Sequence, residues 1–223
     1  MPRSGDVAPR RLVLVHGASS GPWVFESWEG RFPTFEVLVP DLQAGLEVEH
    51  ASMADYAEQV ITAPGGAEAV VVGWSMGGLV AMLAAQSQHP AALVLVEPSQ
   101  PRELGRHDTA VVPTVGAYDA ETMYGPLPPG TRHRPESRLA LEERQRGISI
   151  PRIDCPLLVI ASSSYPISRG RDIVDHYGGE LLEFPRLDHA SIVETPEVAT
   201  AIEAWLRDQQ LAPSAHHDTH QLE

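Results

Sequence analysis

The sequence predicts an α/β fold, with a mostly parallel sheet of about six strands and helices on both faces. Short runs of Val and Leu are continuous rather than alternating, which is typical of strands buried on both faces. Stretches with helical spacing of apolar residues separate these runs. The chain has 223 residues, of which 43% are hydrophobic, so it is long enough to bury one sizeable core. We therefore expect a single domain over residues 1–223.

The predicted strands follow one another at regular distances along the chain. In order, they are RLVLV (11–15), EVLV (36–39), AVVVG (69–73), ALVLV (92–96), PLLVI (156–160) and ELLEF (180–184). The predicted helices are SMADYAEQVITA (52–63), MGGLVAMLAAQSQ (76–88), RGRDIVDHYG (169–178) and PEVATAIEAWLRDQQ (196–210). A serine opens the first helix and a proline the last, both of which are common helix-start signals. Strand alternating with helix in this way predicts parallel pairing.

Residues from about 99 to 150 break this alternation. The segment is rich in Pro and Gly, and only ESRLALEERQRG (136–147) has brief helical spacing. Because a loop this long in a compact domain is usually functional, we interpret it as a small cap inserted after the fourth strand. The alternative is a poorly ordered surface excursion. If it is a cap, removing most of 105–145 should change substrate preference more than stability.

Composition excludes several classes of chemistry. The net charge of −14 argues against nucleic acid, whose phosphates are bound by Lys and Arg. All 16 basic residues are arginines, so Schiff-base, pyridoxal and P-loop chemistry lack the lysine that they need. A single cysteine, Cys155, rules out a cysteine zinc cluster. Hydroxyl, imidazole and carboxylate chemistry remains, or a metal held by His and carboxylates.

The location of the protein is predicted from what the sequence lacks. A lone cysteine fits a reducing compartment, and no apolar run approaches the roughly 18 residues of a membrane helix. No signal peptide is visible, so we expect a cytoplasmic protein without a membrane contact. The end of the chain, about 211–223, is predicted to be a flexible tail. Its histidines fit a solvated terminus better than a metal site; they are His216, His217 and His220.

Ser75 lies in Gly73-Trp74-Ser75-Met76-Gly77, between a predicted buried strand and a predicted helix. The two glycines flank the serine at G-x-S-x-G spacing, which leaves room for a tight turn that lifts the hydroxyl above the sheet. A helix that begins at Met76 points backbone N–H groups at developing negative charge. The bare pattern is weak, but its strand–turn–helix context favours a nucleophilic serine over a serine that merely lies among glycines.

The chain resembles the α/β-hydrolases along nearly its whole length. VLVHGASSGPWVFESW (13–28) resembles the first strand and oxyanion loop, particularly of the small esterase and hydroxynitrile-lyase-like branch. The next strand end of the family resembles PDLQAG (40–45), and its nucleophile elbow resembles GWSMGG (73–78). Its histidine loop and final helix resemble LDHASIVETPEVATAIEAWL (187–206). The N-terminus has no room for the antiparallel strand pair common in the family, so about six strands are expected instead of eight.

The resemblance implies roles for further residues. His189 stands where the family places its general base, and the backbone N–H groups of Ala18 and Met76 would form the oxyanion hole. His16 is the main competitor among ten histidines, and the resemblance gives it a structural role in the oxyanion loop. No metal or other cofactor is expected.

The acid of the triad departs from the family pattern. Most members carry an Asp after the strand that corresponds to PLLVI, whereas here that strand runs into Ala161 and a row of serines. Glu97 is the alternative, because it ends the preceding strand and strand ends of a parallel sheet converge on the site. Some members of the superfamily, including lactonases, place their acid there. Two alternatives remain open. Glu97 is an ordinary loop carboxylate in the first, and the acid is one of three weaker candidates in the second: Asp172, Asp175 or Asp188.

These residues predict a serine hydrolase that cleaves an ester or lactone of a small, fairly apolar molecule. An apolar pocket is predicted from Trp23, Trp74, Tyr118, Met123 and Tyr124, with core or cap packing as the alternative role for each. A hydroxynitrile-lyase-like enzyme is a second hypothesis, although those relatives rely on a lysine that this chain lacks. A non-catalytic ligand receptor is the third. The sequence identifies neither the substrate nor an oligomeric state.

Overall fold

A single parallel sheet forms the centre of the computed structural model, which describes residues 10–63, 68–162 and 167–211. Its strand order is β2-β1-β3-β4-β7-β8. The six strands are β1 (Arg10–Val15), β2 (Phe35–Leu38), β3 (Val70–Trp74), β4 (Ala92–Val96), β7 (Leu157–Ser162) and β8 (Glu180–Phe184). The prediction of a six-stranded parallel sheet is confirmed.

Helices cover both faces of the sheet, because successive residues of each buried strand point to opposite sides. They are α1 (Met53–Ile61), α2 (Met76–Ala84), α5 (Ile167–Tyr177), α6 (Ser191–Glu194) and α7 (Pro196–Asp208). On one face, Val13 and Val15 belong to a core that includes residues of α1, α2 and α5. On the other face, Leu12 and Leu14 share a core with residues of α6, α7 and a 3₁₀ helix, Pro22–Trp28.

The predicted helix starts agree closely with the observed ones. Ser52 caps α1 in a capping box, in which its hydroxyl accepts from Asp55 N–H and the Asp55 carboxylate accepts from Ser52 N–H. Pro196 opens α7. The helix ends agree less well, since α2 finishes at Ala84 rather than 88. Helix ends are weakly encoded because the last carbonyls have several alternative partners.

The segment between β4 and β7 is a structured insertion. It contains β5 (Ala117–Tyr118), α3 (Ala120–Tyr124), β6 (Glu136–Ser137) and α4 (Arg138–Arg146), with β5 and β6 paired antiparallel. Ser137 is fully buried and its hydroxyl donates to the Ala51 carbonyl at 2.5 Å. Ala140 of α4 is fully buried in the same core as α1 and α2.

This packing reverses one expectation about the insertion. Part of the segment completes the hydrophobic core, so its removal should cost stability as well as specificity. The predicted tail is described only at residue 211, and its three histidines lie outside the described residues. None of the helices in the described ranges combines the length and apolar character that crossing a membrane requires.

Candidate active site

Ser75 occupies a strained turn between β3 and α2. Its φ of 56° and ψ of −120° lie in a region that non-glycine residues rarely adopt. The turn requires glycine on either side: a Cβ on Gly73 would lie 2.3 Å from the Gly77 carbonyl oxygen, and one on Gly77 would lie 2.3 Å from the Val15 carbonyl oxygen. Both contacts are with backbone, which cannot move aside. Strand, turn and helix therefore hold the serine at the carboxyl edge of the sheet.

Three predicted site residues meet in one line of hydrogen bonds. Ser75 Oγ lies 3.0 Å from His189 Nε2, and His189 Nδ1 lies 2.5 Å from Glu97 Oε2. Because an ionised carboxylate can only accept, Nδ1 carries the ring proton and donates to Glu97. In the neutral imidazole, Nε2 is then left to accept from the Ser75 hydroxyl. The arrangement has the geometry of a nucleophile with an oriented base.

Glu97 is held at the end of β4 by both of its carboxylate oxygens. The residue is 1% exposed and has a φ of 44°. Its Oε1 accepts from the backbone N–H of Ser162 at 2.9 Å, while Oε2 faces His189. Ser162 ends β7, the strand after which the family usually carries its acid. The backbone at the usual position thus anchors a carboxylate that comes from the neighbouring strand.

The three alternative acids lie elsewhere. Asp188 accepts from Ser191 and Ala190, and the hydrogen bond from the Ser191 backbone is the main cause that keeps the pKa of this carboxyl below its usual range. Asp188 therefore stabilises the turn that carries His189. Asp172 and Asp175 are exposed on α5, and Asp172 lines the cavity described below.

Trp74 supports the histidine from the other side. Its indole N–H donates to the His189 carbonyl at 3.0 Å, and the two ring centroids are 5.2 Å apart. The sequence suggested a pocket residue here, whereas the structure gives Trp74 contacts that position the His189 loop.

The two predicted oxyanion residues lie beside the nucleophile. Met76 is the first residue of α2, so its N–H has no acceptor within the helix. Ala18 follows Gly17, where an added Cβ would lie 3.2 Å from Ser75 Cβ. Among the described residues, no hydrogen bond from the Ala18 N–H occurs. Within the described ranges, neither N–H group has a protein acceptor, as an oxyanion hole requires.

Glu136, which the sequence did not single out, ties the insertion to the oxyanion loop. This fully buried carboxylate accepts from the Ser19 N–H at 2.9 Å and from the hydroxyl of Tyr56. Burial, and then the charge of Glu136, raise the pKa of Tyr56, so its hydroxyl remains a donor. Arg134 N–H also donates to the Ser19 carbonyl at 3.0 Å. These contacts hold the residue that follows Ala18, and Ser19 has a positive φ of 55°.

His16 has structural contacts. Its Nδ1 donates to the Gly17 carbonyl at 2.9 Å, and its Nε2 accepts from Leu42 N–H at 3.1 Å. Asp41 lies 3.7 Å from the same ring and pairs with Arg134 at 2.5 Å. Because Nε2 is an acceptor, His16 has no proton to donate to Asp41, and the Arg134 guanidinium holds the pKa of the Asp41 carboxyl well below its usual range. The network shapes the loop before Ala18 and leaves His16 no contact with Ser75.

A cavity of about 980 Å³ opens onto Ser75 and His189. Its wall is formed by the end of β4, by the insertion and by α5, and it carries many charged side chains. Besides the triad candidates, the charged and imidazole residues that line it are Arg106, His107, Asp108, Arg144, Arg169 and Asp172.

The five predicted pocket residues are not part of this wall. Trp23 lies under two guanidinium groups, with Arg132 4.8 Å and Arg134 5.4 Å from its ring. Tyr118 is buried in the insertion and its hydroxyl contacts that of Tyr124 at 3.1 Å. Met123 and Tyr124 are 37% and 56% exposed. With Trp74 against His189, the structure gives all five residues packing or surface positions.

Other nucleophile and metal chemistry finds little support in the described ranges. Burial raises the pKa of the Cys155 thiol to about 11, which makes it a poor nucleophile. No group of three or more His, Cys, Asp and Glu side chains in the described part of the chain is arranged to hold a metal ion.

Comparisons with known proteins agree with the fold. A family model for the alpha/beta hydrolase family matches residues 12–204. No curated protein sequence shows significant similarity to the chain. Among solved structures, an alpha/beta hydrolase from the metagenome of lagoon sediments of Mar Chica, Morocco, has 18% identity and a TM-score of 0.62, over 91% of this chain and 93% of that one. A methylesterase from Arabidopsis has 16% identity and a TM-score of 0.66, over 90% and 98% of the two chains. Polyneuridine aldehyde esterase has 16% identity and a TM-score of 0.63, over 90% and 100%.

Proposed function

Since the chain belongs to the alpha/beta hydrolase family, we propose that it is a serine hydrolase that cleaves a carboxylic ester or lactone through Ser75, His189 and Glu97. The line of hydrogen bonds from Ser75 Oγ through His189 to Glu97 carries this proposal. Positioned nucleophile, base and orienting acid are the parts that acyl transfer requires.

Acylation begins at the Ser75 hydroxyl. Its oxygen bonds to the substrate carbonyl carbon, and its proton passes to His189 Nε2. The carbonyl oxygen becomes an oxyanion, which the N–H groups of Ala18 and Met76 stabilise. Glu97 stabilises the imidazolium and keeps the ring in the tautomer that accepts at Nε2. The carbon–oxygen bond to the leaving group then breaks, and His189 returns the proton to the departing alkoxide.

Deacylation repeats the same steps with water. His189 takes a proton from a water molecule, whose oxygen bonds to the acyl carbon. The bond to Ser75 Oγ breaks, and the proton passes from His189 to the serine oxygen. For an ester the products are an acid and an alcohol, and for a lactone they are one hydroxy acid.

The cavity changes one part of the prediction. A fairly apolar substrate was expected from the aromatic residues of the sequence, but these lie outside the wall. The wall is instead rich in polar and charged side chains, so the proposed substrate is a polar ester or lactone.

Ser75→Ala tests the proposal. We expect at least a thousandfold loss of kcat, because the variant lacks the nucleophile while base and oxyanion donors remain (the order of loss is ~10⁶ in a serine protease). Hydrolysis of p-nitrophenyl esters and lactones gives the rate, and labelling with a fluorophosphonate probe reports on Ser75 itself.

Ser87→Ala is the matched control, since Ser87 is exposed beyond the end of the same helix. Wild-type protein that neither turns over any ester or lactone nor reacts with the probe would overturn the proposal and favour a receptor.

A further inference from the structure

The wall of the active-site cavity concentrates arginines in an acidic protein. Three arginines line it, at 106, 144 and 169, against three carboxylates, at Glu97, Asp108 and Asp172. With a neutral His189 these charges balance, whereas the chain as a whole has a net charge of −14. The high share of arginine is therefore a local feature of this wall.

Arg144 is connected to Ser75 by a short chain of hydrogen bonds. It belongs to α4, and its Nη1 donates to Ser99 Oγ at 3.4 Å. The Ser99 backbone N–H in turn donates to the Ser75 carbonyl at 2.9 Å. One residue thus separates the guanidinium from the backbone of the nucleophile.

The other edge of this guanidinium has no protein acceptor. Nε and Nη2 are both buried, and neither has a hydrogen-bond partner in the described part of the chain. These two nitrogens form the side edge of the guanidinium, whose parallel N–H groups match the two oxygens of a carboxylate.

Neighbouring carboxylates do not neutralise Arg144. Glu142 accepts from Thr114, and Glu143 accepts from Met53 N–H at 2.7 Å. No salt bridge within the described ranges includes Arg106, Arg144 or Arg169. A guanidinium stays charged at any physiological pH, and a buried charged donor without an acceptor is costly. The presence of such an unpartnered guanidinium in the wall of the cavity is explained if the substrate supplies the acceptor.

We propose that Arg144 binds a free carboxylate of the substrate, so that the enzyme acts on esters or lactones that carry one negative charge. This inference rests on the proposed hydrolase function and names its substrate class. The two unpartnered nitrogens of the Arg144 side edge match the two oxygens of one carboxylate. Arg106 and Arg169 are exposed at the cavity and attract the same anion by long-range charge.

Two matched pairs of substrates test the proposal on either side of the scissile bond. On the acyl side, mono-4-nitrophenyl glutarate is compared with the 4-nitrophenyl ester of monomethyl glutarate. On the alcohol side, 4-acetoxybenzoate is compared with its methyl ester. For at least one pair, we expect wild-type protein to have a kcat/KM about 10- to 100-fold higher for the anionic member, as a charge-assisted bidentate hydrogen bond provides. Arg144→Met should abolish this preference, mainly through a higher KM for the anionic member of the pair.

Arg146→Met is the control, because Arg146 is exposed on the same helix and does not line the cavity. It removes the same charge and should keep the preference. Arg144→Lys keeps the charge without the two-donor edge, so it should recover only part of the preference. An equal ratio of anionic to neutral kcat/KM in wild type and Arg144→Met, for both pairs, would overturn the inference.

A binding measurement separates this inference from the proposed function. Glutarate monomethyl ester binding to Ser75→Ala is measured by calorimetry, alone and combined with Arg144→Met. Loss of binding in the double variant supports the carboxylate site even if no ester is turned over. Equal binding in both proteins contradicts it, and wild-type hydrolysis of neutral esters would then leave the proposed function intact. If Arg144→Met does not fold, the Lys variant and the effect of salt on wild-type preference decide the question.

Discussion

At the scale of single residues, the position of the proposed acid, Glu97, is the unusual feature of this site. The ends of β4 and β7 are adjacent, since Val96 pairs with Ile160 in the sheet. Neighbouring strands are only about 4.8 Å apart, so a Glu after β4 reaches the same imidazole as an acid after β7. The positive φ of Glu97 and the Ser162 N–H aim its carboxylate at His189. A Glu side chain is one methylene longer than an Asp side chain, which adds reach from the neighbouring strand.

Glu97→Gln should reduce kcat by at least about a hundredfold, because the amide removes the charge that stabilises the imidazolium and permits the wrong tautomer. Glu97→Asp should cost less, since the charge remains and only reach is lost. Asp175→Asn, which changes an exposed carboxyl on α5, is the control and should stay within a few-fold of wild type. Steady-state kinetics on one ester measure all three. A crippled Asp175→Asn beside an active Glu97→Gln would contradict the assignment while leaving Ser75 and His189 in place.

At the scale of elements, the insertion between β4 and β7 joins the site to the core. Through β6, Glu136 holds the loop that carries Ala18, and α4 presents Arg144 to the cavity. The same element buries Ala140 against the core of the sheet. One short segment therefore serves stability, the oxyanion loop and the substrate wall together.

Deleting 105–145 should prevent folding or lower stability severely, because it leaves a core without α4 and leaves the Ser19 N–H and Tyr56 hydroxyl without their buried acceptor. Replacing only 126–131, the exposed turn between α3 and β6, with a short Gly-Ser linker is the matched control and should change stability little. Urea unfolding followed by circular dichroism compares both proteins with wild type. A stable protein lacking 105–145 would show that the segment is a dispensable cap.

At the scale of the whole molecule, stability and charge are linked through acidic groups. The pKa of the Asp41 carboxyl is held low by the Arg134 guanidinium, and that of Asp55 by the hydroxyl and N–H of Ser52. When a carboxyl has a lower pKa in the folded than in the unfolded chain, its ionised form stabilises the folded chain. This contribution to the free energy of unfolding is complete above pH 3.8, the usual pKa of an Asp carboxyl, and it is lost as the pH falls below that value.

Asp41→Asn should therefore lower the free energy of unfolding at pH 7, and the difference from wild type should shrink between about pH 5 and pH 3. Urea midpoints at pH 7, 5, 4 and 3 measure this, with Asp175→Asn as the control for removing one negative charge. A difference that stays constant over this range would mean that the Asp41 carboxylate has no net favourable interaction in the folded chain.

The sequence by itself determined the fold and the tight turn that holds Ser75, because these depend on local patterns. Continuous Val and Leu runs specify strands buried on both faces, and the glycines around Ser75 leave room for one tight turn. The six parallel strands were predicted correctly, including their approximate bounds. The roles of Ser75, His189 and Glu97 in catalysis stay predictions, although the structure places their side chains within hydrogen-bond distance.

Tertiary structure alone decided what surrounds that nucleophile. Nothing in the local sequence distinguishes Glu136 or Arg144 from the other charged residues of 136–147, since their roles depend on partners far along the chain. Aromatic residues were expected in the pocket because they are large and apolar, but the same property directs them into packing. The cavity wall comes from three separate stretches of the chain, which only the closure of the insertion onto the sheet brings together. Long-range contacts of this kind leave no periodic pattern in the sequence, so only the folded chain shows which side chains form the wall.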